Sequence, residues 1–199
     1  MPDERSGWYG GPVPDGHESE NLRFVPLTEA LVDADYDAVM ASRDLLRRWS
    51  NSSWPTVDFT VGDNEGDLRE HRIEHGERVA YTYSVLERSG VRVVGCVYIR
   101  ALLDALATRR LALAAPPAVA PGAAAVRGWI RADAPEELLD ELVTTTVSWL
   151  AGDPWTLPEV WWQANWRTPE QLAVCDRAGL ARDIVLDGDD GVRWHLRAR

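Results

Sequence analysis

The sequence VWWQANWRTPEQLAVCDRAGL, residues 160–180, contains the patterns of a strand and of a complete helix in succession. Apolar residues fall on both faces of its first seven positions, as expected for a strand in the middle of a sheet. Thr168, Pro169 and Gln171 then have the spacing of a capping box with proline at the first helical position. Gly179 predicts the helix end, because glycine readily adopts the left-handed conformation that closes many helices. This stretch therefore predicts a buried strand that leads directly into a helix.

The segments on either side alternate between strand patterns and helix patterns. Strands are predicted at residues 22–27, 79–85, 91–99, 125–131, 182–186 and 192–196. Helices are predicted at residues 28–49, 62–78 and 135–152. The resulting order is β-α-α-β-β-β-α-β-α-β-β, which indicates a mixed α/β sheet flanked by helices.

Two segments fall outside this pattern. Residues 1–20 are rich in glycine, proline and acids and predict a flexible tail, which leaves residues 21–199 as one domain. Residues 101–124 are rich in alanine and proline and predict an insertion whose first half is helical. The insertion is interpreted as a solvent-covering excursion, or alternatively as a lid or a contact in a homodimer.

The composition excludes several classes of protein. The chain has 32 acidic and 21 basic residues, a net charge of −11, which disfavours binding to nucleic acid or to an anionic membrane. It contains no lysine, so a Schiff-base lysine and a P-loop lysine are excluded. Two cysteines are too few for a disulfide scaffold or a four-cysteine zinc site. The acidic first ten residues lack the apolar core of a signal peptide, so we expect a cytoplasmic protein.

In its order of elements the chain resembles the GNAT-type N-acetyltransferase superfamily from residue 22 onward. The resemblance is carried by Asn165 ahead of the helix pattern LAVCDRAGL, residues 172–180, and by the strand VRGWIR, residues 126–131, ahead of a helix that starts near Pro135. It implies a mostly antiparallel sheet flanked by helices. It also implies transfer of an acetyl group from acetyl-CoA to the amine of a small molecule or a peptide.

The resemblance also implies where the cofactor lies. In this superfamily the pantetheine arm occupies a gap between two strands that part, which places Trp129, Ile130 and Arg131 on one side and Asn165 on the other. Cys175 falls where many members have a tyrosine that protonates the leaving thiolate. Cys175 is therefore taken as a catalytic candidate. The cofactor-binding candidates are Trp129, Ile130, Arg131 and Asn165.

The loop that precedes the helix near Pro135 departs from the superfamily pattern. Residues 132–137 read ADAPEE, without the glycines whose N–H groups hold phosphate at a helix N-terminus. Three acids in this loop repel a diphosphate and instead stabilise the helix through its dipole. A second interpretation therefore stays open, a degenerate GNAT-fold binding or regulatory protein that does not use acetyl-CoA.

The charged helix pattern EHRIEHGE offers candidate bases. Glu70, His71, Glu74 and His75 lie on it, and we take Glu74 and His75 as the catalytic candidates. His71 and His75 have the i, i+4 spacing of two metal ligands, but no third ligand cluster follows, so no metal is expected.

Aromatic residues are concentrated on the strand at residues 160–166. Alternation places Trp162 and Trp166 on one face and Trp161 on the other. Such residues are ordinarily core residues, and the alternative is an aromatic cleft that binds an amine through cation–π contacts. For that alternative, Trp162 and Tyr83 are the substrate-binding candidates.

Overall fold

The computed structural model describes residues 8–107, 119–188 and 191–198. Within these residues, eight strands form one sheet: β1 His17–Glu18, β2 Leu22–Pro26, β3 Ala80–Glu87, β4 Val93–Ala101, β5 Ala124–Ile130, β6 Val160–Asn165, β7 Ala181–Gly188 and β8 Gly191–Arg197. Their order in the sheet is β1-β2-β3-β4-β5-β6-β8-β7. Neighbouring strands are antiparallel except β5 and β6, which are parallel.

Helices cover both faces of the sheet. They are α1 Val32–Ala41, α2 Arg43–Ser50, α3 Val61–Gly76, α4 Leu102–Ala107, α5 Glu137–Ala151 and α6 Pro169–Arg177. Residues of α1, α2 and α3 share one apolar cluster with Cys96 and Trp129 of the sheet. Residues of α5 and α6 share another cluster with Tyr83, Val126 and Trp162. The predicted fold class, a mixed and mostly antiparallel sheet flanked by helices, is confirmed.

The single helix predicted over residues 28–49 is divided at Ser42. The backbone of Ser42 leaves helical geometry, with φ −112° and ψ 14°, and its side chain is buried. Its hydroxyl oxygen accepts a hydrogen bond of 3.1 Å from the backbone N–H of Ala132. The division therefore ties α1 and α2 to the loop that follows β5.

The helix α6 begins at Pro169 as predicted, but without a capping box. The Thr168 hydroxyl donates to the backbone oxygen of Asn165 (3.1 Å), and the Gln171 amide donates to the backbone oxygen of Gly128 (2.7 Å). Both side chains are thus used for other contacts than the capping of α6. Gly179 has φ +73° and closes the helix, as its position predicted.

Residues 8–20 lie against the domain, whereas the sequence predicts a flexible tail. The Tyr9 hydroxyl donates to the backbone oxygen of Trp155 (2.7 Å), and the Tyr83 hydroxyl donates to that of Pro14 (2.8 Å). These aromatic contacts bury apolar area, which offsets the entropy lost by ordering the segment. The first seven residues of the predicted tail lie outside the described part of the chain.

The predicted insertion begins with a helix, α4, as its first half suggested. Residues 108–118 lie outside the described residues, so the interpretations of this segment as a lid or a dimer contact remain predictions. Among the helices described, none is long and apolar enough to cross a membrane.

Candidate functional site

The strands β5 and β6 are paired only where they begin. Their ladder joins Ala124 to Val160, Ala125 to Trp161 and Val126 to Trp162. Beyond these pairs β5 continues for four residues and β6 for three, and the two strands make no further pairs with each other. The two strands therefore part, at the place that the resemblance implied for the cofactor.

The end of α2 fills the resulting gap. The indole N–H of Trp49 donates to the backbone oxygen of Gly128 in β5 (2.7 Å). On the β6 side, the Asn165 amide donates to the backbone oxygens of Arg48 (3.1 Å) and Trp49 (2.8 Å). With the Gln171 bond to Gly128 as well, the backbone oxygen of Gly128 on one side of the gap and the Asn165 amide on the other are bonded within the protein. A small cavity of about 20 Å³, on the scale of one water molecule, lies beside Trp49, Asn165 and Gln171.

A larger cavity lies beside Trp49, on the sheet face that carries α1, α2 and α3. Its volume is about 340 Å³. The side chains that give it its chemical character are three aromatic ones, Trp49, Trp54 and Tyr98, and four that can carry charge, Asp67, His71, Arg100 and Arg127. The sheet contributes the tyrosine and both arginines, and α3 contributes the aspartate and the histidine.

The aromatic rings of the cavity are held by polar contacts. The guanidinium carbon of Arg127 lies 3.6 Å from the ring centre of Trp49, a stacked cation–π contact. The indole N–H of Trp54 donates to Asp67 (3.2 Å). The ring centres of Trp49 and Tyr98 are 5.6 Å apart. The walls are therefore preorganised by the chain itself.

One wall of the cavity, the acidic wall, is formed by Asp67 and His71 of α3. Burial raises the pKa of Asp67, although the hydrogen bond from Trp54 lowers it. His71 Nδ1 lies 3.4 Å from a carboxylate oxygen of Glu74 and 3.4 Å from the Thr82 hydroxyl. The cavity thus places a carboxylate and an imidazole near one another.

Of the predicted cofactor-binding residues, Asn165 alone has its side chain in the gap between β5 and β6. Trp129 packs under α1 and α2, with its indole nitrogen 3.5 Å from the Tyr98 hydroxyl. Ile130 points into the opposite core, and Arg131 leads into the loop after β5.

The predicted catalytic and substrate residues do not meet at the cavity. Tyr83 and Trp162 are fully buried in the cluster on the α5 and α6 face. His75 lies edge-on to Tyr83, and burial lowers its pKa. Glu74 reaches the cavity only through His71. Cys175 is fully buried on α6, and burial raises its pKa to about 12.

The burial of both cysteines predicts that their thiols are unreactive in the folded protein. Burial raises the pKa of Cys175 to about 12 and that of Cys96 well above its usual value, and neither has exposed surface. Because the thiolate is the reactive form, we expect neither to react with an aromatic disulfide reagent at pH 8 in the folded protein, and both to react in urea. Rapid labelling that Cys175→Ser abolishes would return Cys175 to the list of catalytic candidates.

The loop after β5 has its one arginine neutralised. The Arg131 guanidinium bonds Asp37 (2.6 Å) and Asp133 (2.7 Å) and is 7% exposed. These carboxylates raise the pKa of Arg131, and Arg131 in turn lowers the pKa of Asp133. The positive charge is thus already paired within the protein.

Two N–H groups of this loop are bonded within the protein, and a third position has no N–H. That of Ala132 donates to Ser42, that of Ala134 donates to the backbone oxygen of Arg131 (3.2 Å), and Pro135 has none. The acids Glu136 and Glu137 stand where α5 begins, so they take up the favourable field of the helix N-terminus. The residues present therefore do not fit the diphosphate of coenzyme A, and the gap filled by Trp49 does not fit the pantetheine arm.

Sequence reasoning missed several residues of the cavity: Trp49, Trp54, Asp67, Tyr98, Arg100 and Arg127. A signal was available, because Tyr98 and Arg127 are polar positions in the predicted strands, and Arg100 directly follows the strand predicted at 91–99, on the same face as Tyr98 by alternation. Trp49 continues the apolar stripe of its predicted helix, which marks it as buried without indicating that it reaches β5.

Comparisons with known proteins give matches in structure only. No family model matches the sequence, and no curated protein matches it. A putative ribosomal-protein-serine acetyltransferase from Vibrio cholerae has a TM-score of 0.68 at 15% identity, covering 94% of this chain and 99% of that one. The microcin C7 self-immunity acetyltransferase MccE, solved with acetyl-CoA and AMP, has a TM-score of 0.68 at 11% identity, covering 94% and 97%. Mycobacterium smegmatis RimJ, solved with a CoA-disulfide, has a TM-score of 0.67 at 12% identity, covering 89% and 81%.

These likenesses define the class of fold. The chain has the fold of the GNAT-type N-acetyltransferases, as the order of its elements predicted. At such identities the likeness establishes the fold alone.

Proposed function

We propose that this protein binds a small-molecule amine in the cavity beside Trp49. Asp67 supplies a carboxylate for the ammonium group, and the rings of Trp54 and Tyr98 supply faces that attract a cation. The net charge of −11 attracts cations over longer distances. A volume of about 340 Å³ favours one small molecule, or the terminal residue of a peptide, over a larger ligand.

Among the roles that amine binding could serve, we place binding or regulation without acetyl-CoA first. The observation that carries this choice is the filled gap: Trp49 and Asn165 use the polar groups of β5 and β6 for bonds within the protein. The loop after β5 supports it independently, because Glu136 and Glu137 at the start of α5 disfavour a diphosphate and Arg131 is already paired with Asp37 and Asp133.

A second candidate is N-acetyl transfer to the same amine. It is favoured by the parting of β5 from β6 and by the fold shared with the acetyltransferases named above. In this candidate His71, oriented by Glu74 and Thr82, takes the proton from the ammonium group so that the amine becomes nucleophilic. This role falls to His71 and not to His75, because His71 lines the cavity.

Ligand-dependent melting separates the two candidates. A ligand at about 100 times its dissociation constant stabilises the folded state by about 2.7 kcal/mol, which raises the melting temperature measurably. We expect 2-phenylethylamine to raise it and acetyl-CoA, even at about 1 mM, to leave it unchanged. The uncharged analogue 2-phenylethanol is the matched control for the amine.

Each result decides a different point. A rise with acetyl-CoA would reject binding without this cofactor and leave the acetyltransferase candidate. Equal shifts with the amine and with 2-phenylethanol would reject recognition of the ammonium group.

A further inference from the structure

Two arginines line the same cavity as Asp67. Arg100 lies on β4 and Arg127 on β5. Tyr98 pairs with Arg127 and Arg100 pairs with Ala125, so the arginines are diagonal neighbours on one face of the sheet. Diagonal neighbours in an antiparallel pair are about 7–8 Å apart, within reach of one ligand group for side chains of this length.

The two guanidinium groups suit a carboxylate. The guanidinium carbon of Arg127 lies 3.6 Å from the ring centre of Trp49, and this cation–π contact holds the group at the cavity wall. The side chain of Arg100 makes no ion pair or hydrogen bond with any other residue that the structure describes. Planar guanidinium groups bind carboxylates with two parallel hydrogen bonds, which are stronger than neutral ones.

The helix α3 contributes a group of the opposite charge to the same cavity. Asp67 lies on α3 and is fixed by the indole N–H of Trp54 (3.2 Å). The cavity lining thus combines basic groups on the sheet, an acidic wall on a helix and aromatic surfaces. A ligand of one charge would satisfy only one of these walls.

We propose that the ligand of this cavity is an amino acid with an apolar or aromatic side chain. Its carboxylate binds Arg100 and Arg127, its ammonium group faces Asp67, and its side chain packs against Trp54 and Tyr98. This inference rests on the proposed function, since it specifies which amine is bound. A free phosphate or phosphate ester is disfavoured, because the acidic wall repels a dianion.

Calorimetric titration with three probes of one shape tests this assignment. The probes are L-phenylalanine, 2-phenylethylamine, which lacks the carboxylate, and 3-phenylpropionate, which lacks the amine. We expect L-phenylalanine to bind about 10-fold or more tightly than either, because a hydrogen bond to a charged group contributes about 1.5–3 kcal/mol.

Variants assign each charge to its wall. Arg100→Met is expected to weaken the binding of L-phenylalanine by about 10-fold and to leave the affinity for 2-phenylethylamine unchanged. Asp67→Asn is expected to weaken the binding of both probes that carry an amine, L-phenylalanine and 2-phenylethylamine. Arg88→Met, in the exposed turn between β3 and β4, removes the same charge outside the cavity and is the matched control. The melting temperature of each variant shows that it is folded.

The outcomes keep this inference distinct from the proposed function. Equal affinities for L-phenylalanine and 2-phenylethylamine, or an Arg100→Met variant that binds L-phenylalanine normally, overturn the carboxylate site and leave amine binding in place. If 3-phenylpropionate binds as tightly as L-phenylalanine, the role of Asp67 is overturned. If neither amine-bearing probe binds, the proposed function itself is rejected.

Discussion

Replacing Trp49 with alanine is expected to lower the free energy of unfolding by about 3–5 kcal/mol, the usual cost of truncating a large buried aromatic residue. The Trp49 side chain is 7% exposed and fills the gap between β5 and β6. The change also removes the indole donor to Gly128 and the ring on which Arg127 stacks. Urea unfolding followed by circular dichroism measures the loss.

A matched tryptophan distinguishes this cost from a general one. Trp166 follows β6 directly and is 49% exposed, so Trp166→Ala is expected to cost much less. If both variants lose the same stability, Trp49 does not hold the two strands together as the structure indicates. A Trp49→Ala loss below about 1 kcal/mol would contradict the filled gap directly.

The same variant tests what keeps coenzyme A out of the gap. Removal of the Trp49 ring clears the position between β5 and β6 but leaves the acids Glu136 and Glu137 at the start of α5. We expect acetyl-CoA to leave the melting temperature of Trp49→Ala unchanged, because these acids repel the diphosphate. A rise in Trp49→Ala, absent from the parent protein, would show that the tryptophan alone closes the site.

Replacing Asp35 with asparagine is expected to raise the free energy of unfolding at pH 8 by about 1–3 kcal/mol. Asp35 is 4% exposed on α1, and burial raises its pKa from 3.8 to about 6 despite the hydrogen bond that it accepts from Asn64 (3.0 Å). Asparagine has nearly the same shape, can still accept that hydrogen bond, and carries no charge. The buried charge present at pH 8 is thereby removed.

The raised pKa of Asp35 also makes the free energy of unfolding depend on pH. The folded protein holds the Asp35 proton more tightly than the unfolded chain does, so the free energy of unfolding falls as the pH rises from 3.8 to about 6. The gain from Asp35→Asn is therefore expected to be small below this range and full above it. Asp33→Asn, on an exposed position of the same helix, should show no such dependence. A gain that does not change with pH would refute this explanation.

Local patterns predicted most of the elements and part of the site. The strand at residues 160–166, the helix after Pro169 and its end at Gly179 depend on alternation, proline and glycine, which act over a few neighbouring residues. The gap between β5 and β6 was predicted from the resemblance. The cavity was not, because its lining comes from three helices, three strands and the loop after α2, whose side chains meet only after folding.

The capping residues of α6 show the limit most clearly. Thr168 and Gln171 have the spacing of a capping box, yet Gln171 donates to Gly128, 43 positions earlier in the chain. Trp49 likewise bonds Gly128, 79 positions later. A hydrogen-bond donor takes the acceptor that the packed structure brings within reach, and local spacing does not encode which one that is.

The sequence by itself determined the order of the elements apart from β1 and the division of α1 from α2, the acidic loop before α5 and the absence of lysine chemistry. These depend on residue type and on periodicity, which act locally. Only the tertiary structure decided that Trp49 fills the gap between the parted strands, that Cys175 is a core residue, and that Asp67, Arg100 and Arg127 share one cavity. These features arise from contacts between segments far apart in the chain, which form only when the two faces of the sheet are covered.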